Sequence, residues 1–126
     1  MTNPATGNGA IAKTYTIKRG DDFRGGTFNF SGPASQGSAF WTGYAVRAQW
    51  RASPDGDLIY EHTFSVTVTE ADGVGVLSFD LNAPYTATVS FPTGSMIGDI
   101  ELKSNSLPKI TLVTMRATVI ADATHD

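Results

Sequence analysis

Hydrophobic and polar residues alternate with a period of two along most of this chain, and no stretch of helix length repeats every three to four residues. Ile11, Tyr15 and Ile17 share the odd positions of a first segment, with Lys13 as the exception, before Arg19-Gly20-Asp21-Asp22 breaks it. Phe28 and Phe30 share one face of the next segment, where Gly25-Gly26 predicts a bulge or kink. After a loop by composition, Ser31 to Ser38, the clearest strand runs from Tyr44 to Arg51. It places Tyr44, Val46, Ala48 and Trp50 on one face and Arg47, Gln49 and Arg51 on the other, so that one side meets the core and the other meets water or a partner.

The turn Ser53-Pro54-Asp55-Gly56-Asp57 predicts a hairpin. Leu58 to Thr69 then carries Leu58, Tyr60, Phe64, Val66 and Val68 on even positions, read as continuous strand up to the turn Glu70-Ala71-Asp72-Gly73. Leu77, Phe79 and Leu81 define another strand. Ala83 to Ala87 is expected either as a short helical turn crossing between sheets or as more strand. Gly98, Ile100 and Leu102 alternate with Asp99, Glu101 and Lys103, and Val113, Met115, Ala117 and Val119 close the pattern. About seven strands, each with one apolar face to bury, predict an all-β, antiparallel β-sandwich of immunoglobulin-like type. Met1 to Ala10 is expected to be a flexible arm, and residues 11–126 a single domain.

Composition narrows the function. Charged residues are 17% of the 126, and nine Lys and Arg against twelve Asp and Glu leave a net charge of −3 without a basic block. A nucleic-acid surface is not expected. The absence of cysteine removes disulfides, thiolate metal sites and cysteine nucleophiles. The polar start predicts no signal peptide, no segment is apolar over membrane-spanning length, and synthesis in the cytosol is expected.

Catalytic raw material is sparse. His62 lies inside a strand, where a cross-strand or surface role is expected, and His125 lies near the end of the chain. Asp21, Asp22, Asp55, Asp57, Glu70 and Asp72 sit near turns and Asp99 and Glu101 share one strand face, and no calcium-loop, phosphate-loop or nucleophile-elbow pattern occurs. No enzyme activity, cofactor or metal is expected. Arg19-Gly20-Asp21 is read as a strand-ending turn. Among the aromatic residues, Trp50 is assigned to the core. Phe40, Trp41 and Tyr85 are the candidate partner contacts, with Trp41 expected to be partly exposed.

The order Ile17-Lys18-Arg19-Gly20-Asp21-Asp22-Phe23, then Thr42 to Arg51, then Gly98-Asp99-Ile100-Glu101-Leu102 and a last β-segment ending at Thr124 resembles the small immunoglobulin-like or baseplate-type structural modules of tailed-bacteriophage virions. The resemblance spans roughly residues 15–124. Two places depart from that pattern: Ser104 to Lys109 between the last strands, and Ser90-Phe91 after the helical turn. The resemblance implies a virion protein made in the host cytoplasm, with other virion proteins as partners, formation of homo-oligomers, and docking at the tail, baseplate or fibre attachment. A head decoration protein and a carbohydrate-binding module that reads a host glycan through Trp41, Tyr44 and Tyr85 are the alternatives.

Overall fold

A computed structural model describes residues 10–121. The arm expected before residue 11 lies outside the described residues except for Ala10, as do His125 and the chain after residue 121. Eight strands are present: β1 (Ile11–Lys18), β2 (Phe23–Ser31), β3 (Ala45–Arg51), β4 (Leu58–His62), β5 (Thr67–Ala71), β6 (Val74–Ala83), β7 (Gly94–Lys103) and β8 (Ile110–Ile120). A 3₁₀ turn, Ser38–Trp41, precedes β3, and one helical turn, α1 (Tyr85–Thr88), joins β6 to β7.

The strands form a five-stranded sheet in the order β1-β8-β7-β3-β4 and a three-stranded sheet in the order β2-β6-β5. In immunoglobulin lettering these are the strands G, F, C and C′ facing B, E and D, with the first strand joined to G. All pairs are antiparallel except β1 with β8, which run parallel, Ile11 beside Val113 through Lys18 beside Ile120. The first strand joins the sheet opposite its sequence neighbour β2 and there lies beside the last strand of the chain.

Local chemistry places the turns. Asp72 (φ 54°) and Gly73 (φ 77°) are the two residues between β5 and β6, both in the left-handed region that the tightest hairpin connection requires. The predicted glycine irregularity is a register shift between Arg24 and Thr27 on β2. Gly25 faces inward there, where an added Cβ would lie 2.9 Å from the Leu81 carbonyl oxygen, and Gly26 adopts φ 99°. The carbonyl of Gly25 accepts a hydrogen bond from the Tyr15 hydroxyl at 2.9 Å, which ties the two sheets together at the bulge.

The predicted strand over Leu58 to Thr69 divides in two. The chain leaves the five-stranded sheet at His62 and enters the three-stranded one at Thr67, because a sandwich connection must cross from one layer to the other. Val66 at the end of that crossing and Val68 on β5, both expected on an apolar face, are exposed, and so is Leu58 at the start of β4. Trp50, Phe30, Phe91, Leu81, Ile100 and Leu112 are among the fully buried residues. Phe28, Phe30 and Phe79 stack with ring centroids 5.6–6.2 Å apart.

Candidate functional site

The buried histidine serves the frame. His62 on β4 accepts the Trp50 indole N–H at Nε2 (2.9 Å) and donates its Nδ1–H to the Asn82 carbonyl on β6 (2.8 Å). Trp can only donate and a carbonyl can only accept, so the ring is neutral with its proton on Nδ1. Burial lowers its pKa below the ordinary value of 6.5, against a smaller opposite effect of the bond to Asn82. Both nitrogens are used inside the core, and neither is directed at a cleft.

Arg19-Gly20-Asp21 is likewise a structural turn. Arg19 Nη2 donates to the Val89 carbonyl (2.9 Å), and the Gly20 N–H donates to Thr88 Oγ1 (3.1 Å). The hydroxyl of Thr88 donates to the Asp21 carbonyl (2.7 Å), and Asp22 accepts the Tyr85 N–H (2.8 Å). The turn after β1 thus holds α1 in place at both of its ends.

The predicted contact residues separate. Trp41 is 4% exposed, not partly exposed as expected, because the 3₁₀ turn folds it inward and its Nε1–H donates to the Gly75 carbonyl at 2.9 Å. Phe40 is half-buried and packs edge-on against it, with centroids 4.9 Å apart. Tyr44 is half-buried against the core. Tyr85 is 59% exposed on α1, close in sequence to the exposed Val89. Of the aromatic residues proposed for sugar contacts, Tyr85 alone presents its ring to solvent.

Two kinds of open surface remain. The first is the set of sheet edges: β1 and β4 bound the five-stranded sheet, and β2 and β5 the three-stranded one. All five residues of β5 are exposed, so its outward backbone groups are open to pairing.

The second is a groove of about 630 Å³ across the outer face of the five-stranded sheet. Register builds it. Gln49 pairs with Asp99, Asp99 with Thr114 and Thr114 with Ala12, one row across β3, β7, β8 and β1. The neighbouring row runs Arg51, Ile97, Arg116 and Thr14. Ser53 and Pro54 of the β3–β4 connection and Lys109 before β8 border it.

Charge is concentrated there. Arg47, Arg51, Lys109 and Arg116 line the groove on this face, four of the nine Lys and Arg in the chain. With the two carboxylates, Asp99 and Glu101, the balance is +2 in a chain of net charge −3, so the remainder carries −5. Glu101 is buried and neutralises part of this: Arg47 Nε donates to its Oε1 at 2.8 Å, Arg47 Nη2 closes a second bond to the same oxygen, and Lys109 lies 3.4 Å from Oε2. Arg51 donates to the Gly56 carbonyl (3.0 Å) and to Gln49 Oε1 (3.1 Å), both neutral acceptors, so among the described residues its charge has no carboxylate partner. Arg116 is exposed. Outward positions on β3 are visible in the strand pattern, but the placing of β7 between β3 and β8, which gathers these cations, has no signal in the sequence. Among the described residues no three His, Cys, Asp or Glu side chains converge as a metal site.

No protein-family model and no curated protein sequence matches the chain. Among solved structures, the chain has a likeness to a family 123 glycoside hydrolase from Clostridium perfringens, solved in work on glycolipid glycan hydrolysis. The two are 12% identical, with a TM-score of 0.38, over 89% of this chain and 23% of the other. The chain therefore spans less than a quarter of that enzyme, and the likeness carries no activity to it.

Proposed function

We propose that the chain is a non-catalytic structural protein of a tailed-bacteriophage virion that docks or oligomerises at the tail, baseplate or fibre attachment. The observation that carries this reading is what the ordered motifs do in the fold. Arg19-Gly20-Asp21-Asp22 braces α1, Ala45–Arg51 is a central strand, and Gly98 to Leu102 is part of its neighbour β7. The segments whose order resembles the virion modules are thus frame elements, as expected of modules that hold other parts together.

Two further features support docking. Both sheets end in open strands that can pair with a neighbouring chain, and the charged groove presents a binding face between connections. Closed symmetric assemblies use such self-complementary or neighbour-complementary surfaces.

Light scattering after size-exclusion chromatography, combined with immunogold labelling of tailed particles from the cells that express the chain, tests the proposal. Oligomers and label on tails are expected. Label on heads instead assigns the chain to head decoration, and a monomer found on no particle overturns the virion reading.

A further inference from the structure

We propose that the groove on the outer face of the five-stranded sheet is a binding site for an extended acidic segment of a partner protein. The inference goes beyond the virion reading and does not depend on it, because it follows from the charge and register of the sheet alone.

Three observations carry it. First, the groove holds +2 against −5 for the rest of the chain, so a carboxylate approaching the molecule is drawn to this face and repelled by the others. Second, among the described residues the two cations of the Arg51–Ile97–Arg116 row have no ion pair such as Arg47 makes with Glu101. Arg51 is held in place by two neutral acceptors, a preorganised cation that loses little freedom when an anion arrives. Third, the spacing suits an extended chain. Arg51 and Arg116 stand two strands apart, roughly 10 Å at the usual strand separation, and alternate residues of an extended chain, which share one face, lie about 7 Å apart, a gap that long side chains on both partners span. Ile97 lies between them as an apolar floor. Two acidic side chains two residues apart would therefore share the face turned to the groove and meet one guanidinium each, with the backbone between them passing over Ile97.

The floor also selects against uniform polyanions. Asp99 lies in the adjoining row beside Gln49 and Thr114, where a phosphate or sulfate repeat would face a carboxylate. A peptide can set an amide or hydroxyl donor there instead. An acidic protein segment is therefore favoured over nucleic acid or a sulfated glycan.

The test uses the isotope-labelled chain and a serine-glycine hexapeptide carrying two glutamates two residues apart, with the matching glutamine peptide as blank. Amide shifts at Arg51, Ile97, Thr114 and Arg116 are expected with the first peptide and not the second, with affinity falling about tenfold from low to physiological salt. Arg116→Glu, at an exposed position, should weaken binding by about tenfold or more, whereas Arg24→Glu on the other sheet, with a side chain 78% exposed, should leave it unchanged. Shifts confined to β5 or α1, no shift at all, or tighter binding of a heparin fragment or a single-stranded oligonucleotide of equal charge would each overturn the proposal.

Discussion

The two faces of the five-stranded sheet are built from the same strands, one residue out of step, and serve opposite purposes. On β3, Ala48 and Trp50 are sealed in the sandwich, while Arg47, Gln49 and Arg51 between them line the groove. On β7 and β8, Ile100 and Met115 face inward, and Asp99 and Arg116 outward. The inner face gains from excluding water around apolar surface, and the outer face keeps charge solvated and available. Folding therefore depends on one set of side chains and recognition on the other, although every member of one set is bonded through the backbone to a member of the other.

Glu101 is where this separation breaks down. By alternation it belongs to the outer face, yet it is buried, because Arg47 and Lys109 close over it. Its carboxylate is the one charge on that face whose removal should be felt by the fold.

Substitution of the inner face should produce the largest effect. Trp50→Ala removes a fully buried indole and leaves His62 Nε2 without its donor. A loss of about 3–5 kcal/mol is expected, a large part of the roughly 5–15 kcal/mol that holds a domain together, and urea unfolding followed by circular dichroism measures it. A loss under about 1 kcal/mol would mean that the sandwich does not close around this side chain.

Glu101→Ala should follow at about 1–3 kcal/mol, because it leaves the half-exposed Arg47 facing an empty acceptor site. A double-mutant cycle with Arg47→Ala should recover a clear coupling energy. The cycle with Lys109→Ala, at a side chain 60% exposed, should recover less than about 0.5 kcal/mol. Equal couplings would place Glu101 at the surface.

The pH dependence separates the faces in another way. His62 is neutral in the fold, and its pKa there is lowered from 6.5 by burial. The unfolded chain therefore takes up a proton first as the pH falls. The contribution of His62 to stability is complete above about 6.5 and is lost as the pH falls from there toward the folded-state pKa. Protonation at Nε2 also removes the acceptor for Trp50. His62→Gln, which can still donate to Asn82 and accept from Trp50, should flatten the stability profile between pH 7 and 5 in thermal melts. An unchanged slope would assign the acid sensitivity to other groups.

The smallest expected effect on stability is that of Arg116→Gln, within about 0.5 kcal/mol, since the side chain is exposed. Its effect should appear as a loss of affinity for the acidic peptide, which is the sharpest way to separate the two faces.

Much of the inner face was legible in the chain. Phe28 with Phe30, Leu77 with Phe79 and Leu81, and Trp50 with Ala48 fall on buried faces as their alternation requires, and Asp72-Gly73 makes the hairpin it predicts. The Thr63–Val66 crossing was not legible, because a strand that continues and a strand that changes layers share the same period of two. Trp41 misled for a related reason: a tryptophan beside a loop can face either way, and only the carbonyl of Gly75, distant in sequence, draws its indole inward.

The sequence by itself determined that this protein is a β-sandwich and which residues of most strands face inward, since both follow from local alternation and residue type. Tertiary structure decided which strands are neighbours. It paired β1 in parallel with β8, set β7 between β3 and β8, and so brought residues as far apart as Thr14 and Arg116 into one groove. The physical reason is that the period of a strand specifies a face but not a partner, and a binding surface on a sheet is made of partners.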